Sequence, residues 1–137
     1  MHFNQNQARE IIMNHYMNPS NKVALSDNFI TCYSNTCSDK LELQVTWQDG
    51  KVLQAKFNGH GCAVFMAATD IFLDLIIGKT KAEIATLVDT FTKFVSQEPL
   101  DEDAIASLGE LWAFYNVKTH LNRVACALLT PNTFINE

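Results

Sequence analysis

Leu41-Glu42-Leu43-Gln44-Val45-Thr46-Trp47 alternates apolar and polar side chains without a break, the two-residue period of a strand with one buried face. Asp49-Gly50 then supplies a tight-turn pair. Residues 52–57 resume the pattern with Leu53, Ala55 and Phe57 on one face, so a β-hairpin is predicted. Phe29 to Tyr33 is apolar and β-prone enough to form a third strand beside it. Elsewhere the period is helical. Gln7 to Met17 places Ala8, Ile11, Ile12 and Tyr16 near one face and stops before Asn18-Pro19, because proline disfavours helix in the residue ahead of it. Cys62 to Ile77 is apolar almost all round, broken mainly by Thr69, Asp70 and Asp74, and reads as a buried helix beginning at Cys62 and capped by Gly78. Thr80-Lys81-Ala82-Glu83 has the form of a capping box, followed by Ile84, Leu87, Val88, Phe91 and Val95 at helical spacing. Pro99 and Asp101-Glu102-Asp103 mark a solvated loop, and Ala104 to Phe114 holds one or two short helical turns. A last helix is expected from about Val117 to Thr130, before Pro131 disturbs it. With no internal repeat or composition boundary, residues 1–137 read as one α+β domain: a three-stranded antiparallel sheet packed on one side by helices.

Composition narrows the function. At 137 residues and 47% hydrophobic, the chain can build a core without staples, so a metal ion here would serve function before folding. A net charge of −5 repels a phosphate backbone and the ten basic residues form no run, which argues against nucleic acid. Neither a signal peptide nor an apolar run long enough to span a bilayer is present, so a cytoplasmic protein with no membrane partner is expected. In a reducing compartment its four cysteines are poor disulfide candidates and better metal ligands or sulfur chemists.

Three of those cysteines stand in distinct settings. Cys37 lies in the polar loop Thr36-Cys37-Ser38-Asp39, Cys62 follows Gly59-His60-Gly61 at a helix start, and Cys126 ends Arg123-Val124-Ala125-Cys126. With Asp39 they offer three thiolates and a carboxylate, a tetrahedral set for a thiophilic metal. At a helix start, free backbone N–H groups and the helix dipole favour negative charge on Cys62. On the last helix Val117, Leu121, Val124 and Leu128 form the stripe expected to be buried, and Cys126 falls about 180° away, available to a site. The bland alternative stands beside this one: a cysteine is commonly a small buried hydrophobe, and no Cys-x-x-Cys knuckle ties any two of the three. Cys32, inside the apolar strand, keeps the structural reading. His60 is a fifth candidate ligand or proton donor, or else an exposed loop histidine. His15 and His120 read as surface or partly packed, His2 as terminal, and Phe91 and Phe94 as core. No His-Glu-x-x-His or deaminase-type pattern supports a hydrolytic zinc enzyme.

Four segments together resemble the U-type iron–sulfur cluster assembly scaffolds, the NifU N-terminal and IscU-like family, and within it the SufU-like branch. They are Ile12-Met13-Asn14-His15-Tyr16-Met17-Asn18-Pro19, Thr36-Cys37-Ser38-Asp39, Lys56-Phe57-Asn58-Gly59-His60-Gly61-Cys62 and Arg123-Val124-Ala125-Cys126-Ala127-Leu128. The spacing between Cys62 and Cys126 has the longer form of that branch. The resemblance implies the same α+β fold, a metal or cluster held by Cys37, Asp39, Cys62 and Cys126, and Arg123 beside the site. It implies zinc as the usual ion, a transient iron–sulfur cluster as the other occupant, and a cysteine desulfurase as partner. Cys37 is then the acceptor of persulfide sulfur, the activity at most that of a sulfurtransferase-type acceptor, and apo iron–sulfur proteins the downstream recipients. Two versions stay open, a [2Fe–2S] scaffold and a zinc-dependent sulfur carrier, with a zinc-stabilised interaction module as the alternative from a different class. Several positions depart from the family pattern. Ser38 stands at a common glycine, Asn35 at a common proline, and Ala125 at the histidine or lysine that commonly precedes the last cysteine. Tyr115-Asn116-Val117-Lys118 replaces the chaperone-binding segment of IscU-like proteins.

Overall fold

The structure, a computed structural model, describes residues 3–34, 38–119 and 123–135. Helix α1 (Gln5–Met17) precedes strands β1 (Ile30–Tyr33), β2 (Lys40–Gln48) and β3 (Lys51–His60). Helices α2 (Ala63–Ile76), α3 (Lys81–Val95), α4 (Glu102–Ala106) and α5 (Arg123–Thr133) follow, with 3₁₀ turns at Gly109–Phe114 and Val117–Thr119 between the last two. The strands form one antiparallel sheet in the order β1-β2-β3, and helices cover the face that carries Leu41, Leu43, Ala55 and Phe57. This is the α+β architecture expected from the chain.

The hairpin forms as predicted around Asp49 (φ 55°) and Gly50 (φ 78°), whose left-handed backbone matches the twist of the flanking strands. Its inner face differs. A register shift between Thr46 and Trp47 pairs Thr46 with Gln54 and Trp47 with Val52, leaving Leu53 as the extra residue of a bulge. One extra residue reverses the side-chain phase, so Val52 is buried and Leu53, expected inside, is 56% exposed. The outer edge of β3 is covered at both ends. Val23 N–H donates to Phe57 O and Phe57 N–H to Asn21 O, while Val52 N–H donates to Lys79 O and Gly78 N–H to Val52 O.

Helix α2 is the central element, touching β3, α1, α5 and the Gly109–Phe114 turn. Its buried set runs unbroken from Phe65 to Leu73, which explains a sequence apolar on every side. Helix α3 begins with the predicted capping box: Glu83 N–H donates to Thr80 Oγ1 (3.2 Å) and Thr80 N–H to Glu83 Oε1 (3.0 Å). The acidic stretch expected to be a solvated loop instead starts α4, with Asp101 Oδ1 accepting from Ala104 N–H at 2.7 Å, because carboxylates satisfy the free N–H groups of a first turn. The last helix is described over Arg123–Thr133 and includes Pro131; Val117, expected to open it, belongs to a separate 3₁₀ turn, and residues 120–122, with His120 and Leu121, lie outside the described residues.

Candidate metal centre

Asp39 sits just ahead of β2, and Cys62 is the residue on which α2 starts. Register brings them together. Lys40 pairs with His60 and Leu41 with Gly59 at the open end of the hairpin, so the residues before β2 and after β3 face one another. There Cys62 N–H donates to Asp39 Oδ1 at 2.9 Å, and Cys62 Sγ accepts the Phe65 N–H at 3.4 Å as the N-cap of α2. The sulfur is therefore held at the positive end of the helix and half-buried.

Two glycines make this approach possible. A Cβ on Gly59 would lie 2.0 Å from Lys40 O, and one on Gly61 would lie 2.2 Å from Asp39 Oδ1 and 2.8 Å from Phe65 Cδ2. At Gly61 the missing side chain is the space that the Asp39 carboxylate occupies.

Cys126 reaches the same place from α5. The structure buries it (1% exposed) alongside Ala127, Thr130 and Pro131, so it does not lie on the accessible face deduced from the stripe of Val117, Leu121, Val124 and Leu128. Within the helix the stripe residue Leu128 is buried as expected, but the inward arc is wider than one stripe and also takes in Cys126, Ala127, Thr130 and Pro131, so Cys126 and Leu128 lie at its opposite edges. Thr130 and Thr69 fix α5 against α2. Thr69 Oγ1 donates to Phe65 O (2.8 Å) and accepts from Thr130 Oγ1 (2.7 Å), a buried hydrogen bond that sets Cys126 opposite the start of α2.

The outcome is a set of three donors. One carboxylate oxygen of Asp39 and the sulfurs of Cys62 and Cys126 lie within 4.8 Å of one another. Asp39 is 2% exposed, and its Oδ2 is a buried oxygen with no hydrogen-bond partner among the described residues. A carboxylate oxygen buried in that way is costly unless something positive meets it. The donor chemistry, two sulfurs and a hard oxygen, suits zinc or iron. Cys37 lies outside the described residues. His60 ends β3 exposed. Cys32 is half-buried against the core, facing Leu41 on β2. Arg123 opens α5 and, with Cys62, lines a cavity of about 370 Å³.

A second polar cluster was not legible in the chain. Asp70, fully buried on α2, accepts from Asn21 N–H at Oδ1 (2.8 Å) and meets His15 Nδ1 at Oδ2 (2.6 Å). His15 Nε2 meets Glu110 Oε1 at 3.0 Å, and the Asn21 side-chain amide donates to Asp70 O and to Asp74 Oδ1. Burial pushes the His15 pKa down, but the hydrogen bonds and charges of Asp70 and Glu110 outweigh it and the net direction is up. An aspartate amid an apolar helix was the available signal: a charge placed there needs a cation, and His15 is the nearest in chain order on a preceding helix.

Comparison with known proteins finds relatives of the chain and of its fold. The family model described as the NifU-like N terminal domain matches residues 7–127. The zinc-dependent sulfurtransferase SufU of Bacillus subtilis is 31% identical over 134 residues, covering 95% of this chain and 90% of that protein. The crystal structure of a putative iron–sulfur cluster assembly scaffold protein for the SUF system from Fervidobacterium islandicum superposes with a TM-score of 0.78 at 29% identity, over 93% of each chain. A further crystal structure, of a hypothetical protein, gives a TM-score of 0.87 at 25% identity over 97% of each chain.

Proposed function

Because the chain belongs to the NifU-like N-terminal domain family, we propose that it serves iron–sulfur cluster assembly by accepting persulfide sulfur from a cysteine desulfurase. The site is Cys37, Asp39, Cys62 and Cys126, holding zinc, with Arg123 beside it. The observation that carries this reading is a buried Asp39 carboxylate with one oxygen within 4.8 Å of two cysteine sulfurs and, among the described residues, no hydrogen-bond partner for its Oδ2. A wholly structural cluster would have paired that oxygen with a donor; a cation site leaves it open. Zinc bound there holds the cysteine sulfurs deprotonated at neutral pH.

The residues take different parts. Asp39 and Cys126 are fixed by the core and act as anchors. Cys37, in the polar segment Thr36-Cys37-Ser38-Asp39 of the sequence, is the acceptor. Its thiolate attacks the outer sulfur of the donor persulfide R–S–SH. The donor S–S bond breaks, a new S–S bond forms to Cys37 Sγ, and the donor cysteine leaves as thiolate, so that Cys37 carries S–SH. Apo iron–sulfur proteins are the downstream recipients. Labelled cysteine, the desulfurase and the zinc-loaded chain test this directly: wild type takes up labelled sulfur and Cys37→Ser does not, while normal uptake by the variant removes Cys37 from the role. Bound iron and sulfide, in place of zinc, in protein isolated without added iron would move the reading to a [2Fe–2S] scaffold.

A further inference from the structure

Of the three donors described at the metal centre, two are sealed in the core, and only Cys62 borders open space. That space is the cavity of about 370 Å³ between the N-terminal half of α1, the start of α2 and residues 113–117. Its walls are largely apolar, from Ala8, Ile12, Met13, Val64 and Val117, and its charged lining consists of Arg9 and Arg123. No aspartate or glutamate lines it among the described residues. In a chain of net charge −5 this is a local reversal of sign. Arg9 is exposed on α1, and no ion pair holds it among the described residues, so its guanidinium is available to a ligand.

We infer that this cavity is a docking groove for an acidic peptide segment of the protein that donates sulfur, with Arg9 as the residue that selects it. The inference rests on the sulfur-acceptor reading above and supplies the recognition chemistry of its partner. Guanidinium groups are suited to carboxylates, which they grip bidentately, and an apolar floor takes the neighbouring side chains of an extended chain. The charge also acts before contact. A donor with a negative flank is steered toward Cys62 by the two guanidinium groups that line this face of an otherwise acidic protein.

Surface-immobilised cysteine desulfurase and the zinc-loaded full chain give the test. Arg9→Gln should lower the association rate roughly three- to tenfold at low salt and flatten its salt dependence, and Arg9→Lys should restore most of the rate. Equal rates and equal salt slopes for wild type and Arg9→Gln overturn the inference. A second readout is independent of the desulfurase: the ratio of Cys62 alkylation by anionic iodoacetate to that by neutral iodoacetamide, mapped by mass spectrometry. It should fall roughly threefold in Arg9→Gln, and an unchanged ratio overturns the inference even if sulfur transfer is intact. Conversely, a desulfurase that fails to bind wild type while the ratio still depends on Arg9 refutes the acceptor reading and keeps the anion-selecting groove. If glutathione alone protects Cys62 in an Arg9-dependent way and the desulfurase does not, the occupant is a small thiol and the peptide assignment fails.

Discussion

His15→Gln removes the imidazole that faces Asp70 and tests whether that buried carboxylate is held by charge. In the wild type Asp70 is fully buried, its Oδ2 is 2.6 Å from His15 Nδ1, and the His15 side chain is itself only 11% exposed. Breaking a buried ion pair by removing one partner costs about 3–5 kcal/mol when nothing replaces it. Here Asp70 keeps the Asn21 N–H at Oδ1, and glutamine can offer one neutral donor, so a loss of about 2–3 kcal/mol is expected. For a chain of 137 residues that corresponds to a fall in Tm of roughly 5–10 °C. The pH dependence supplies the sharper signature. The His15 pKa is raised in the folded state, so the pair stabilises fully below the ordinary histidine value of 6.5, and that contribution is lost as pH rises through the folded value. Urea unfolding at several pH values between about 5.5 and 8.5 should therefore show wild type losing an increment on the alkaline side that His15→Gln lacks. Pairing His15→Gln with Asp70→Asn should recover part of the loss, since a neutral amide no longer needs a cation. A variant within about 0.5 kcal/mol of wild type, or one with the same pH slope, would refute the idea that this pair clamps α1 to α2.

Gly61→Ala forces a Cβ into the seat of the Asp39 carboxylate; it should leave the circular dichroism spectrum near wild type and weaken zinc retention against a chelating dye roughly tenfold or more, and unaltered retention would remove Asp39 from the site. Val52→Ala should cost about 2 kcal/mol in chemical denaturation and Leu53→Ala less than about 0.5, an order that reverses if the bulge at Thr46/Trp47 is absent. Thr80→Ala should cost about 1 kcal/mol by loss of the α3 cap, with serine at the same position restoring most of it in thermal melts.

The sheet, α2 and α3 were legible because each carries a local signal strong enough to survive packing: strict alternation, a continuous apolar run, a capping box. The errors share a cause. Leu53 was placed inside because alternation assumes an uninterrupted ladder, and a bulge is invisible to a period of two. A single apolar stripe through Val124 and Leu128 puts Cys126 on the accessible face because it assumes one narrow buried side, whereas α5 is buried over an arc wide enough to hold both Leu128 and Cys126. At the centre, Asp39 and Cys62 could be nominated from their neighbours, yet the hydrogen bond between them depends on the antiparallel register of β2 and β3, a non-local fact. The network around His15 depends on Asn21 folding back onto α2, for which no short-range pattern exists.

Two buried aspartates in one small core give an internal control on what a ligand position looks like. Asp70 and Asp39 are 0% and 2% exposed, so each faces the same penalty for holding charge away from water. Asp70 meets it within the protein: His15 takes one oxygen and the Asn21 backbone the other. Asp39 meets half of it, through Cys62 N–H, and among the described residues leaves Oδ2 without a partner, in a carboxylate that shares its site with two sulfurs that bring no cation of their own. Were Asp39 there only to pin β2 to the start of α2, an asparagine would do so at lower cost, keeping the acceptor and shedding the charge. On the proposed reading, the carboxylate answers to a cation from outside the chain. Asp39→Asn should accordingly raise the stability of the metal-free protein while weakening its hold on zinc, the opposite of what Asp70→Asn does in the presence of His15. Chemical denaturation with and without chelator separates the two, and a metal-free Asp39→Asn less stable than wild type would mean that its partner lies within the chain after all.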